Sequence, residues 1–273
     1  MNARNPEILR TPHQRIIRNG IVGEREIAQT VPFKAVIFDL DGVIALTTEQ
    51  HFTAWNWTFA YEIGVGEITR QEYDRYIDSK KREEGLLAML VARGRTMSEK
   101  DVVEFGKIKR SYYQYLIRDT DIHVIEGTID FIRKLKERGV KLAVASSSQD
   151  APMILKKIGV YDLFDVVVAR DTVLKEGEET VVHDMKSKPS PDIFLTACHA
   201  LGVSPRDTAG VEDAGDGVKA LYAGNIMSIG LDKRGNQELV DAHPYMLIGD
   251  FSGTTPEMVG QQFLQWRAQM AEV

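Results

Sequence analysis

The segment Lys34 to Leu40 (KAVIFDL) places apolar and β-branched residues at consecutive positions and stops at Asp41-Gly42. This is the pattern of a strand buried on both faces and ending in a turn. Further on, Gly127 to Arg138 carries Ile129, Ile132 and Leu135 at helical spacing and stops at Gly139, which predicts a helix with a glycine end. Val140 to Ala145 again predicts a buried strand. The alternation continues with a helix at Pro152–Ile158 before Gly159, a strand at Val166–Val168, a helix across Asp192–Leu201 before Gly202 and a strand at Thr208–Val211. A helix at Gly217–Ala223, a strand at Ile226–Ile229 and a helix beginning at Thr255-Pro256 complete it. Strands separated by helices predict right-handed crossovers and a parallel sheet covered on both faces, an α/β Rossmann-like architecture.

Between about Thr47 and Arg118 the pattern changes. His51–Glu62, Gln71–Leu90 and Ser98–Arg118 are long, charged and aromatic, with helical character. An inserted α-helical cap is expected at 47–118, leaving the core after the first strand and returning before the second. The α/β core then comprises 33–46 and 119–273, with 1–32 as an N-terminal extension. Such an insertion lies over the C-terminal strand ends, the edge at which open α/β sheets bind ligands.

At 273 residues with 43% apolar and 27% charged residues, the composition is that of a globular protein without low-complexity bias or a membrane-length apolar run. A net charge of −6 gives no support for nucleic-acid binding, so an anionic substrate has to be held by local cations. The single cysteine, Cys198, excludes an internal disulfide and a multi-cysteine zinc site, in keeping with a reducing cytosol; a buried core position is expected for it. Residues 1–32 hold Arg4, Arg10, Arg15, Arg18 and Arg25 against Glu7, Glu24 and Glu26. They read as a cytoplasmic extension, with an organelle-targeting peptide as the alternative that the acids and the lack of serine oppose.

Four clusters carry candidate chemistry. Phe38-Asp39-Leu40-Asp41-Gly42 puts two carboxylates at the end of the first strand. One carboxylate can attack phosphorus to form an acyl phosphate, while a second, two residues on, manages the proton of the leaving or entering hydroxyl. Two like charges this close call for a cation, and Glu212-Asp213 at another strand end offer further ligands for Mg²⁺. Val144-Ala145-Ser146-Ser147-Ser148 sets hydroxyls where a strand gives way to a helix, a place to hold an oxyanion. Ser187-Lys188-Pro189-Ser190-Pro191-Asp192 places one lysine in a loop stiffened by two prolines. Taken singly, each has an ordinary explanation: a turn-capping acid, an acidic helix start, N-cap serines, a solvated lysine. Their order at successive strand ends is what points to phosphoryl transfer.

DLDG, the hydroxyl-ended strand, SKPSPD and VED together resemble the four motifs of the haloacid dehalogenase superfamily, over Phe33 to about Gly230. The second acid, Asp41, favours phosphatases and phosphomutases over the dehalogenases. The stretch FKAVIFDLDGVI with Thr47, Glu49-Gln50-His51-Phe52 and Ala54-Trp55 is similar to the β-phosphoglucomutase branch, as are Arg82-Glu83, Lys107-Ile108-Lys109 and SKPSPDIF. The resemblance implies Asp39 as nucleophile, Asp41 as general acid/base, and Ser146 and Lys188 as ligands of the transferring phosphoryl. It further implies Asp39, the Asp41 carbonyl, Glu212 and Asp213 around Mg²⁺. Arg82, Lys109 and Ser148 would hold the second phosphate of a sugar bisphosphate, which would also serve as activator, and Thr47 and His51 would orient Asp41.

Arg82 also reads as part of a solvated charged run, His51 as hinge packing, and Trp55 and Trp57 as core. Where that branch has a lysine and an asparagine after Ser148, this chain has Gln149 and Asp150, a cation lost and an anion gained. Lys80 or Lys81 is the candidate to compensate. Asp171–Lys186, containing His183, reads as a longer acidic loop. The expectation is a cytoplasmic phosphomutase acting on small phosphorylated sugars, a monomer or weak homodimer without nucleic-acid or membrane partners. A sugar-phosphate phosphatase and a non-catalytic phosphometabolite-binding protein are the alternatives.

Overall fold

Alternate residues of the first strand face opposite sides of a sheet, and both sides are dry: Val36 and Phe38 join one core cluster, Ala35 and Ile37 another. An unbroken apolar run is the sequence form of that double burial. The computed structural model describes residues 31–271 apart from 79, 81 and 234. The N-terminal extension lies almost wholly outside these residues.

The chain forms β1 (Ala35–Phe38), β2 (Ala45–Leu46), α1 (Thr48–Trp57), α2 (Arg70–Tyr76), α3 (Arg82–Ala92), α4 (Glu99–Asp119) and β3 (His123–Val124). There follow α5 (Glu126–Glu137), β4 (Lys141–Ser146), α6 (Ala151–Lys157), β5 (Val166–Ala169), β6 (Thr172–Lys175), β7 (Glu178–Val181) and α7 (Asp192–Leu201). The last elements are β8 (Thr208–Glu212), α8 (Gly215–Ala223), β9 (Met227–Leu231), α9 (Gln237–Asp241), β10 (Met246–Ile248) and α10 (Pro256–Ala271).

The sheet order is β10-β9-β8-β1-β4-β5-β6-β7. The strands from β10 to β5 are parallel, and β6 and β7 are added antiparallel. Helices α5, α6 and α10 supply Ile129, Phe131, Ile132, Ile154, Phe263 and Trp266 to one face. Helices α7 and α8 supply Ile193, Phe194, Ala197 and Leu221 to the other, with Cys198 buried among them.

The acidic segment after β5 departs from the expectation of a loop. It forms the hairpin β6–β7, paired Thr172↔Val181 through Lys175↔Glu178. Glu176 and Gly177 close it with φ of 53° and 82°, the positive angles that a two-residue hairpin turn demands. His183 lies just beyond the hairpin and is exposed.

The helices from Thr48 to Asp119 build a separate core of Trp55, Phe59, Ile68, Tyr73, Leu86, Met89, Leu90 and Val102. Trp55 is therefore a packing residue, whereas Trp57 is half-buried against Tyr61 and Tyr112. Where the chain leaves for these helices and where it returns, β2 and β3 pair antiparallel, Ala45↔Val124 and Leu46↔His123. The Ile125 amide adds a bond to the Ile44 carbonyl at 2.9 Å.

Ile132 sits on the buried face of α5 and is fully buried. Replacing it by alanine leaves a cavity where the surroundings relax only in part, so Ile132→Ala is expected to cost about 2–5 kcal/mol of stability. Urea unfolding measures this as a lower midpoint at unchanged slope; an unaltered midpoint would contradict the assigned packing.

Candidate active site

Strand β1 lies between β4 and β8, with Phe38 opposite Val144 on one side and Val211 on the other. Continuing that register by one residue sets Asp39 alongside Glu212 and close to the end of β4. The Asp39 amide extends the ladder by donating to the Val211 carbonyl at 2.9 Å. Asp39, Ser146 and Glu212 thus converge because three parallel strands end together.

Lys188 bridges two of these ends. Its ammonium donates to Asp39 Oδ1 at 2.5 Å and to Glu212 Oε1 at 2.5 Å, and it lies over the Phe194 ring at 5.0 Å. Burial opposes its charge, but the two carboxylates outweigh burial and hold its pKa above the usual lysine range. Glu212 also accepts from the Asp213 and Ala214 amides at 3.2 and 3.3 Å. Burial pushes its carboxyl upward against the pull of Lys188 and these donors. Glu212 is thereby a firm anchor for Lys188 as well as a candidate cation ligand.

Asp39, Glu212 and Asp213 each present a carboxylate oxygen within 4.8 Å of the others. Hard oxygen donors at this separation suit Mg²⁺. Asp213 is raised well above its ordinary range by burial, then by Asp39 and Glu212, which together outweigh the opposing pull of Lys233. The turn after β1 has no room for a side chain beside Asp213: at Gly42, φ is +78° and a Cβ would lie 1.7 Å from Asp213 Oδ2. Gly217 is equally constrained, its would-be Cβ lying 2.0 Å from the Glu212 carboxylate. The loop after β9 closes over this corner, with Lys233 donating to the Gly42 carbonyl and Asn236 to the Asp213 carbonyl at 3.2 Å. Neither Lys233 nor Asn236 stands out by sequence motif; their position just after a strand at the same sheet edge is the one signal that points to them.

The Thr47 hydroxyl donates to Asp41 Oδ1. Thr47 is the N-cap of α1 yet makes no side-chain cap bond, so its hydroxyl serves Asp41 instead of the helix. Burial, then the Asp39 charge, raises Asp41 to about 6. Ser146 is 1% exposed, and its oxygen accepts from the Ser148 amide at 3.1 Å, leaving its hydroxyl proton free to donate. Ser148 likewise accepts from the Asp150 amide at 3.2 Å.

In the helical insertion, Lys109 is 4% exposed and donates to His51 Nδ1 at 2.6 Å. Its ammonium lies 4.7 Å from the Tyr113 ring centroid and 5.3 Å from that of Trp55. Burial, then Arg82, lowers it to about 7. His51 stacks on Tyr113 at 4.0 Å and is kept neutral by burial and Lys109, which makes it an acceptor. His51 thus contacts Lys109, and among the described residues no hydrogen bond joins it to Asp41, whereas Thr47 does contact Asp41. Arg82 is half-buried and its stem crosses Gly106, where a Cβ would stand 3.0 Å from Arg82 Cδ. It is therefore not the solvated helix face that its charged neighbours suggest. Lys80 turns to the Arg75 carbonyl at 3.0 Å, and Lys81 lies outside the described residues.

Asp150 also differs from expectation. It is not a free anion: Arg110 contacts it at 2.9 Å and Gln114 donates to it at 2.6 Å, both from α4. Nothing in the sequence singles out Arg110, because the pairing depends on two distant segments meeting.

The sequence pattern of the haloacid dehalogenase-like hydrolases matches residues 33–225. The chain is 33% identical over 242 residues to a β-phosphoglucomutase of Bacillus subtilis, covering 86% of this chain and 97% of that protein. It is 28% identical over 203 residues to a phosphorylated carbohydrates phosphatase of Thermotoga maritima, covering 72% and 83%. Among solved structures, a β-phosphoglucomutase from Clostridium difficile superposes with a TM-score of 0.71 at 26% identity, covering 86% and 98%. These relatives are phosphomutases and phosphatases, and this chain is an enzyme of that kind. With its matched segment reaching from β1 past the turn at Asp213, the chain belongs to the haloacid dehalogenase-like hydrolase family.

Proposed function

We propose that the protein is a phosphomutase of the β-phosphoglucomutase type, converting β-glucose 1-phosphate to glucose 6-phosphate with a sugar bisphosphate as activator and Mg²⁺ as cofactor. The observation that carries this reading is the unpaired positive charge of the insertion. Arg82 and Lys109 are partly or wholly buried and form no ion pair among the described residues; burial, then Arg170, lowers Arg82, and burial, then Arg82, lowers Lys109, which also lies in the field of Asp41. A second anion on the substrate would satisfy them; a phosphatase needs only the site at Asp39. The similarity to the Bacillus subtilis mutase over almost its whole length supports the same reading.

In this mechanism an Asp39 carboxylate oxygen attacks phosphorus, the bond from phosphorus to the sugar oxygen breaks, and Asp41 gives its proton to that oxygen. The phosphoryl on Asp39 then passes to the free hydroxyl of a sugar monophosphate as Asp41 takes that hydroxyl's proton. The bisphosphate so formed turns end for end, and the first step repeats at its other phosphate, releasing the isomerised monophosphate. Lys188 and the Ser146 hydroxyl hold the phosphoryl oxygens in transit. Asp39, the Asp41 carbonyl, Glu212 and Asp213 would hold Mg²⁺, whose charge offsets the repulsion between Asp39 and the phosphoryl group. Arg82, Lys109 and Ser148 bind the distal phosphate.

Asp39→Asn is expected to abolish turnover and phosphoenzyme formation while the circular dichroism spectrum stays that of the folded protein; wild-type rates would refute nucleophilic catalysis by Asp39. Chelation should reduce activity to background and added Mg²⁺ restore it, so full activity after exhaustive metal removal would reject the cation site. With β-glucose 1-phosphate and bisphosphate, wild type should yield glucose 6-phosphate and little free phosphate. Arg82→Ala should slow this by roughly ten to a hundredfold, about 1.5–3 kcal/mol for a lost charge-assisted hydrogen bond. Stoichiometric phosphate release without isomerisation would replace the mutase reading by a phosphatase.

A further inference from the structure

Asp150 occupies the N-cap position of α6, where an aspartate ordinarily accepts from the amides of its own helix. It makes no such bond. Its carboxylate is turned away from α6 and engaged by α4, with Arg110 Nη2 at 2.9 Å, Arg110 Nε at 3.3 Å from both oxygens, and Gln114 Nε2 at 2.6 Å. Arg110 and Gln114 are four residues apart and share one helix face. The Asp150 side chain is 8% exposed and that of Arg110 33%, so the pair is shielded at its acidic end. The contact joins a core loop to the insertion at a functional point on each side. The Asp150 amide donates to Ser148, and Arg110 directly follows Lys109.

We propose that Arg110, Gln114 and Asp150 form a latch that holds α4 against the loop after β4, fixing Lys109 and Ser148 on either side of the distal phosphate. The latch explains how this chain carries Asp150 beside a phosphate site. Arg110 and Gln114 occupy the carboxylate, so it does not compete with the substrate for Arg82, which lies in the field of both Asp150 and Arg110. Because closure over a bisphosphate decides whether the phosphoryl returns to sugar or is lost to water, these positioning residues set the ratio of isomerisation to hydrolysis. This inference rests on the mutase reading.

The test is a charge swap in the full chain, assayed with Mg²⁺, β-glucose 1-phosphate and glucose 1,6-bisphosphate, counting free phosphate per glucose 6-phosphate formed. Arg110→Glu and Asp150→Arg should each raise that ratio roughly tenfold, and the double variant should bring most of it back. Singles that leave the ratio unmoved, or a folded double variant no better than either single, would overturn the latch. Should the single reversals fail to fold, Asp150→Asn takes their place and must raise the ratio in the same direction. If wild type only hydrolyses, the mutase reading falls, and the latch is then judged by hydrogen exchange. Asp150→Asn must speed exchange of the α4 amides around Arg110 under the same conditions, and unchanged exchange there overturns it.

Discussion

A lysine placed between two carboxylates at adjacent strand ends is the constraint on which the rest of the site depends. Parallel strands ending together bring Asp39 and Glu212 side by side in a dry place, where two carboxylates repel one another unless a cation lies between them. Lys188 supplies that charge from a third segment, and both carboxylates hold its ammonium at hydrogen-bond distance. The requirement propagates outward. Gly42 and Gly217 must lack side chains so that Asp213 and Glu212 can reach the cluster, and burial, Asp39 and Glu212 raise Asp213 against the pull of Lys233, a crowding that a divalent ion would relieve.

The core end of the site is legible in the sequence because its residues are fixed by position along the chain. A buried strand announces itself by consecutive apolar residues, and the polar residue at its C-terminal end, whether Asp39, Ser146 or Glu212, must stand at the sheet edge. The hairpin reads as a loop because its exposed strand alternates weakly: Glu178 to Val181 are all exposed. The Glu176-Gly177 pair between two β-forming runs is the signal that marks it. Asp150 is hidden for a different reason. Its charge can be weighed only with Arg110, and nothing along the chain says that residues forty positions apart meet. His51 illustrates the same limit, since its hydrogen-bond partner, Lys109, lies 58 positions away.

The two halves of the site are built on opposite electrostatic principles. The core gathers carboxylates around one lysine, whereas the insertion buries Lys109 within the field of Arg82, which lowers it. Holding buried like charges together costs stability. The apolar core of the insertion, from Trp55 to Val102, and Tyr113, which packs into the sheet-side core, offset that cost together.

The short ladder between β2 and β3 has a consequence for how this architecture diversifies. By pairing Ala45 with Val124 and Leu46 with His123, the core sews shut the opening through which seventy-odd residues leave and re-enter. Closing a loop costs entropy that rises only slowly with its length, and here the seam is made by residues belonging to the sheet side of the junction. The excursion beyond it can lengthen or shorten at little entropic cost, provided that Ala54, Tyr113, Leu116 and Ile117 keep their places in the sheet-side core. A lineage of such proteins can therefore change what it recognises by replacing one stretch of chain, while the phosphoryl-transfer chemistry is inherited intact.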